Sequence, residues 1–597
     1  MNWIRDIKNF FKTIMQLKQL LNKKQQRQAV AVFVLVVCGA LLETLGVAAI
    51  LPFVQAVMTP DELWENSYIQ IFCKVFGITS NFNLIVGLGL AIGIVYILKN
   101  VFMLYITYRE AKFKTGVVFE LSKLMLDSYM KRPYTYFLST NSAEMMRGVN
   151  DDINSVNEMI TAILKIFSLV LMMIGIGIFI IMQNPMMAIG ILVITALIFV
   201  LIVVAVKKKT KELGVLKLEL GTKVYKNAYQ ALNGIKEISI MKREEFFLGC
   251  YTKVADEKRK ADIVYTCVSA CPERIIEAVF ICGILGIISF QVMLGNMSGS
   301  FVPDLAAFAI GAMRILPSLS TLTTRMTQLM YLKPALGGIS NNIEEARKYQ
   351  KILRGKQTSI NKLDRKASFT DKIQLQNIYW NYPDSEKNIL ENVCLDISCG
   401  ECVAIIGKSG SGKTTLADIM LGLLKPSKGN VLVDGVDIYS IPSEWCKMIG
   451  YVPQMVYLLD DTIKNNIVFG MNDSEINDTK IWDALEKAQL KEFVEKLPQK
   501  LDTILGERGV KFSGGQRQRI AIARALCHNP EIIIFDEATA ALDGETEQAV
   551  MDAINALRGN KTLIIIAHRL NTIERCNRVL EVINGEVVEK SDMSKKK

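Results

Sequence analysis

An α-helical membrane domain of six spans, followed by an α/β domain built around a glycine-rich loop, is the fold class this sequence predicts. Three observations predict it. Apolar residues make up 50% of the 597-residue chain, and nearly all the long apolar runs lie before residue 335. From Ile373 onward, short apolar strands alternate with turns and helices, the pattern of an α/β domain. Between one such strand and the next helix stands Gly407-Lys408-Ser409-Gly410-Ser411-Gly412-Lys413-Thr414. The spacing G-x-x-x-x-G-K-[ST] suits a backbone cradle for phosphate groups.

Residues 1–22 place Trp3, Ile4, Ile7, Phe10, Phe11, Ile14, Leu17 and Leu21 at helical spacing with Lys and Arg between them. An amphipathic helix lying in the membrane interface is expected there. No cleavable signal is expected, because these residues are charged and lack an isolated apolar core. A membrane domain is expected over 23–345. Its six spans fall near 28–53, 83–107, 160–183, 185–206, 273–295 and 304–332, each long enough for about 30 Å of hydrocarbon.

Three connections hold almost no Lys or Arg: 54–82, the turn at Gln183-Asn184, and 296–303. The opposite connections, 108–159 and 207–272, are long and basic. By the positive-inside rule both long connections and both termini are cytoplasmic. The long connections read as helical, so several spans should continue as helices into the cytosol. Within 54–82, residues 61–77 carry Trp64, Tyr68, Ile69, Ile71, Phe72, Val75 and Phe76 with few charges, which predicts a short amphipathic helix on the outer face.

The net charge is +11, and 14 Lys and Arg lie between Lys207 and Lys260, flanked by apolar runs. That placement is a cytoplasmic loop, and no nucleic acid is expected as a partner. The 12 Cys are scattered, and the one C-x-x-C, Cys399-Gly400-Glu401-Cys402, has no second pair at metal-site spacing. With two His in the chain, zinc is not expected, and the thiols read as reduced cytosolic ones.

A basic linker is expected over 346–371 and a nucleotide-binding domain over 372–597. Strands are expected at Ile373–Tyr379, Val403–Ile406, Asn430–Val433, Ile532–Asp536 and Thr562–Ala567, with a helix at Thr414–Leu424. The glycine loop thus joins strand to helix, where the helix N-terminus favours an anion. Lys413 can reach the β- and γ-phosphates, Thr414 can take one Mg²⁺ position, and Thr415 follows in the first helical turn. Ile532–Phe535 delivers Asp536 and Glu537 to a strand end. Asp536 suits Mg²⁺, and Glu537 suits a general base that polarises the attacking water.

The string Phe512-Ser513-Gly514-Gly515-Gln516, ahead of a helix and of the strand ending Asp536-Glu537, resembles the ATP-binding cassette superfamily. A six-span block with long intracellular helices and one nucleotide domain resembles an ABC exporter half-transporter. The resemblance implies ATP and Mg²⁺ as cofactors. It implies that Tyr382 stacks on adenine, that Gln454 ligates Mg²⁺, and that His568, after the strand Thr562–Ala567, contacts the γ-phosphate. It also implies that Ser513, Gly514, Gly515 and Gln516 cap the γ-phosphate of ATP held by a second subunit. With one copy of each element per chain, a homodimer with two working sites is the simple expectation, and a heterodimer is the alternative. Gly506-Glu507-Arg508-Gly509 and Ala540-Ala541-Leu542-Asp543 match further ABC segments. Phe512, where Leu is usual, and Ala540, where Ser is usual, are departures from the pattern.

Charged groups inside spans are costly and usually paired or functional. Glu43, Lys99 and Arg314 are the candidate substrate residues. Glu273, Arg274 and Glu277 lie near a span end and read as a local ion pair. Arg314 precedes Pro317 and a face of Ser318, Ser320, Thr321 and Thr324, which should turn away from lipid, and a guanidinium there suits a diphosphate. Leu41-Leu42-Glu43-Thr44-Leu45-Gly46-Val47, Leu51-Pro52-Phe53 and Arg314-Ile315-Leu316-Pro317-Ser318 resemble bacterial PglK-like flippases for lipid-linked oligosaccharides. That implies an inner-membrane protein whose cargo is a polyprenyl-diphosphate-linked glycan moved from inner to outer leaflet. An exporter of drugs, lipids or peptides is the alternative.

Overall fold

The computed structural model describes residues 2–49, 80–183, 185–293, 301–360, 369–382, 387–472, 474–538, 544–567 and 576–590, with a few single positions between them. Side chains are described in these ranges outside stretches such as 182–198, 301–314 and 352–360. The expected outer helix at 61–77 lies almost wholly outside the described residues. The chain forms two compact units, 1–132 with 140–352 and 133–139 with 353–597.

The first unit is helical. Four expected spans sit within one helix each, Asn81–Met130, Ile153–Gln183, Pro185–Asn233 and Phe301–Ile360, and the spans 28–53 and 273–295 begin in Lys23–Ala48 and Glu244–Met293 and run past their ends. Three of these regions, Lys23–Gly46, Asn81–Met130 and Glu144–Ile178, are long and apolar enough to cross a membrane among the described residues. The helix Asn81–Met130 has 50 residues, which at 1.5 Å per residue is roughly 75 Å, more than twice the hydrocarbon thickness. The excess covers the basic connections, which are helical as their pattern predicts. The helix Phe301–Ile360 keeps Pro317 and Pro334 inside it, where each removes one backbone donor. It runs through the first half of the expected linker.

The N-terminal helix Asn2–Leu20 is docked rather than free. Leu17 and Leu20 are buried, while Phe11 and Met15 are exposed. Phe10 lies 6.2 Å from the ring of Phe167, and the Arg347 guanidinium donates to the carbonyls of Gln19 and Leu20 at the helix end. One apolar face therefore packs within the unit, and the other is open.

One buried-charge arrangement stands out. Lys99 is 6% exposed. Its Nζ lies 3.5 Å from Glu43 Oε2 and 4.5 Å from the ring centre of Tyr96, whose hydroxyl donates to the Gly46 carbonyl at 2.8 Å. Two of the three charges singled out inside spans thus neutralise each other between two helices. Arg274 and Glu277 pair at 3.3 Å on an exposed face, as the sequence suggests. On the helix Phe301–Ile360, Ser318, Ser320, Thr323 and Thr327 are buried. Thr321 donates to the Pro317 carbonyl, and Thr323 and Thr324 to that of Ser320. The hydroxyl face turns inward, with these three hydroxyls bonded to their own helix.

The second unit holds two sheets. The smaller is antiparallel, in the order β2 (Leu390–Ser398), β1 (Lys372–Trp380), β4 (Lys428–Val433), β5 (Val436–Asp437). The larger has the order β10 (Glu586–Glu589), β9 (Arg578–Ile583), β3 (Cys402–Gly407), β8 (Thr562–Ile566), β7 (Ile532–Asp536), β6 (Ile449–Val452). All its pairings are parallel except β10 with β9. β7 and β8 are buried at every position, which explains why both read as continuous apolar runs. The segment Pro133–Ser139, distant in sequence, belongs to this unit.

Candidate ATP site

In an open parallel sheet, ligands bind beyond the carboxyl ends of the strands. β3, β8, β7 and β6 lie side by side, so the segments following them meet at one edge. The glycine loop leaves β3. Gly407 has φ 151°, and a Cβ there would stand 2.6 Å from the Val582 carbonyl oxygen and 2.7 Å from Ser411 Oγ. Only glycine fits. Gly412, at φ 106°, starts the helix Lys413–Met420. The Lys413 side chain is buried, and its Nζ donates to the carbonyls of Gly407 and Lys408, each at 3.0 Å. Its charge is therefore held over the loop by neutral acceptors that a phosphate outcompetes. Ser411 Oγ is buried without a hydrogen-bond partner among the described residues, a vacancy in hydrogen bonding that a phosphate oxygen suits. Lys408, Ser409, Gly410 and Thr414 are exposed and Thr415 is buried.

Register explains the rest. Val452 pairs with Phe535 in β6–β7, and Asp536 pairs with Ile566 in β7–β8. Gln454, two residues beyond β6, therefore stands beside Glu537, one residue beyond β7. Gln454 Nε2 donates to Glu537 Oε2 at 2.7 Å. Glu537 adopts φ 47°, a left-handed backbone that is uncommon for glutamate and recurs where side chains are aimed at function. Its N–H is held by the Ile566 carbonyl at 3.1 Å.

Asp536 is buried, and its carboxyl is pushed above the usual range, first by burial and then by the charge of Glu537. Asp418, on the helix after the glycine loop, is pushed up to about 6 by burial and by Asp536. Adjacent carboxyls deprived of water are a donor set that a divalent cation satisfies, so the residues fit Mg²⁺. Tyr451, which hydrogen-bonds Asp536, is raised by burial and by these acids. Neither Asp418 nor Tyr451 was anticipated from sequence. The position of Asp418 one helical turn beyond Lys413 was the available signal.

Tyr382 is 43% exposed and stands edge-on to Trp380 with ring centres 4.6 Å apart. That contact fixes the ring while leaving it available for stacking.

The Ser513–Gln516 string forms a local device that the sequence reading did not anticipate. It is a capping box at the start of the helix Gly514–Cys527. Ser513 Oγ accepts from the Gln516 N–H at 3.2 Å, and Gln516 Oε1 accepts from the Ser513 N–H at 2.9 Å. Ser513 and Gly514 are exposed while Gly515 is buried. Gln518 of the same helix donates to the Pro453 carbonyl at 3.1 Å, tying the helix to the segment that carries Gln454. Phe512 is buried against Phe493, so the larger residue in place of Leu fills core. His568, Ala540–Asp543 and the side chains of Arg314 and Arg508 lie outside the described residues.

A nucleotide edge on an α/β unit and a unit of long apolar helices on one chain define a membrane transporter driven by ATP. Residues 28–308 match the model of the ABC transporter transmembrane region, and residues 390–540 match the model of the ABC transporter domain. The chain belongs to the ABC transporters, as an ATP-hydrolysing, multi-pass membrane protein of the exporter fold.

Its relatives include the ATP-dependent lipid A-core flippase of Photorhabdus laumondii, 29% identical over 487 residues and 80% of each chain. That of Salmonella typhimurium is 33% identical over 373 residues, 62% of each chain, and that of Escherichia coli K12 is 31% identical over 369 residues, 61% of each chain. The chain thus spans four-fifths of the first relative and about three-fifths of the other two. A solved structure of a bacterial Atm1-family ABC exporter with ATP bound superposes with a TM-score of 0.67 at 22% identity, over 95% of both chains.

Proposed function

We propose that this protein is a lipid flippase of the inner membrane. It works as a homodimer and uses ATP to move an amphipathic, lipid-linked substrate from the inner to the outer leaflet. The observation that supports this most is the breadth of the likeness to lipid A-core flippases. The alignment with the Photorhabdus protein covers 80% of this chain, too much to be confined to the nucleotide unit. The nucleotide unit and both termini face the cytoplasm in this reading, on the charge asymmetry of the connections.

In each half-site, Lys413 and the glycine-loop amides bind the β- and γ-phosphates, and Tyr382 stacks on the base. Thr414, Gln454 and Asp536 would hold Mg²⁺, which neutralises charge on the phosphates when bound. Glu537, held by Gln454, orients and deprotonates the attacking water, with His568 beside the γ-phosphate. Ser513 and Gly514, exposed at a helix N-terminus, complete the site of the second copy. Arg314 is the proposed cargo-side charge, because Lys99 and Glu43 pair with each other. A guanidinium at Arg314, next to the hydroxyl face of its helix in sequence, suits an anionic diphosphate, which supports the finer reading of a polyprenyl-diphosphate-linked glycan.

Mass spectrometry of lipids co-purifying with Glu537→Gln protein held in ATP tests the proposal. Enrichment of a saccharide-bearing anionic lipid over bulk phospholipid is expected. A polyprenyl diphosphate supports the finer reading, and a lipid A-core species narrows the cargo to that of the relatives. Bulk phospholipid alone, with no lipid-stimulated ATPase, argues for the alternative, an exporter of other amphiphiles.

A further inference from the structure

Cys402 opens β3, five residues before the glycine loop begins. Cys576 lies two residues before β9, the strand that pairs with β3 on the side away from β8. The two sulfurs are 3.5 Å apart although the residues are 174 apart in sequence. The backbone on both sides is fixed. The Asn577 N–H donates to the Cys402 carbonyl at 2.8 Å, and the Cys402 N–H donates to Asn577 Oδ1 at 3.0 Å. The thiols therefore face each other where two adjacent parallel strands begin. Only a short approach separates them from the roughly 2.05 Å of an S–S bond. Cys402 is buried and Cys576 is partly exposed, so a small molecule reaches the pair through Cys576. Neither sulfur is in a disulfide.

We propose that Cys402 and Cys576 are a reversible disulfide site in the ATP-binding unit, oxidised by a low-molecular-weight disulfide of the glutathione type. Cys402, the lower of the two thiols, holds the first thiolate and takes the Cys576 proton as the Cys576 sulfur attacks one sulfur of the small disulfide. That S–S bond breaks, one small thiolate leaves and takes a proton, and a mixed disulfide remains on Cys576. Cys402 then loses its proton to solvent and attacks the Cys576 sulfur, expelling the second small thiol. Two protein thiols are oxidised to one disulfide while one small disulfide is reduced to two thiols. The pair favours losing its first proton. Contact with Cys576 and the Arg558 guanidinium hold the Cys402 thiol low, while the same sulfur contact raises that of Cys576. In a reducing cytosol the bond is transient, forming only when the thiol pool becomes oxidised.

The test uses full-length protein in detergent, incubated in graded ratios of oxidised to reduced glutathione, quenched with an alkylating agent and mapped by mass spectrometry. A Cys402–Cys576 cross-linked peptide is expected, with both residues alkylated again after dithiothreitol. The thermal midpoint should rise by several degrees in the oxidised sample, because the bond closes a long loop in the unfolded chain. Cys576→Ser should abolish both effects, and Cys402→Ser should leave a glutathione adduct on Cys576. The proposal is overturned if both thiols stay alkylatable at ratios that modify the exposed Cys394 and Cys446. It is equally overturned if the cross-link appears only in denaturant.

Discussion

The protein buries two lysines to almost the same depth, Lys413 at 5% and Lys99 at 6% exposure, and surrounds them differently. In the nucleotide unit Lys413 is held by two carbonyl oxygens of its own loop, acceptors that carry no charge. In the membrane unit Lys99 is held by the carboxylate of Glu43 and the ring of Tyr96. A buried cation with neutral partners keeps its charge available for an incoming anion. A buried cation with a carboxylate partner has spent it on the fold. The one residue type therefore acts as a ligand site in one unit and as a helix clasp in the other.

The largest expected effect lies at the edge that Lys413 serves. Glu537→Gln should retain ATP binding and slow hydrolysis by about 10²-fold or more, because the proposed general base is lost while the Gln454 contact survives as a neutral hydrogen bond. Hydrolysis at the native rate would show that another group activates the water. Next is the division of the site between copies. A dimer of one Lys413→Ala chain and one Ser513→Ala chain gathers both lesions in one composite site and should regain ATPase above either parent. Verified mixed dimers with no regain would argue against sites completed by the second copy.

The clasp predicts a different pattern. Lys99→Met strands the Glu43 carboxylate and Glu43→Gln strands the ammonium, so each should cost about 1–3 kcal/mol in a thermal or denaturant measurement. The double variant should cost less than the sum of the singles. Additive losses would mean the two charges do not support each other, and would return Lys99 to the cargo path. Arg314→Ala sharpens the contrast. Translocation of a diphosphate lipid in vesicles should fall several-fold with basal ATPase and melting unchanged, and Arg314→Lys should recover only part, since it lacks the bidentate fork. A lowered melt would make Arg314 a second clasp.

The smallest effect is a matter of pH. Asp418 moves from 3.8 to about 6 on folding. Through that window the folded chain holds a proton the unfolded chain has released, so stability falls as pH rises, and the loss is complete above about 6. Asp418→Asn should remove that part of the slope and raise the nucleotide-free midpoint slightly at neutral pH. An unchanged slope would show that Asp418 is solvated.

Much of this was legible in the residues. A run of about 20 apolar residues declares a span without reference to any partner, and four of the six expected spans fall within one helix while the other two begin in one. β3, β7 and β8 were legible because their apolar content is dense. β2 alternates buried and exposed positions, and β6 has four residues including Gly450, so neither rises above a turn-rich background. Tyr134–Ser139 carries no mark of the unit it joins.

Composition and spacing were enough to place the phosphate loop and the acidic pair, because each is a local device whose parts lie within a few residues. Pairings across many residues came only with the tertiary fold. Gln454 meets Glu537 because β6 and β7 are in register. Lys99 meets Glu43 because two helices pack side by side. Cys402 meets Cys576 because β9 lies against β3. The reason is physical. A side chain's own chemistry is written in the chain, whereas the charge, solvent and partner around it depend on which distant segment the fold brings within a few ångströms.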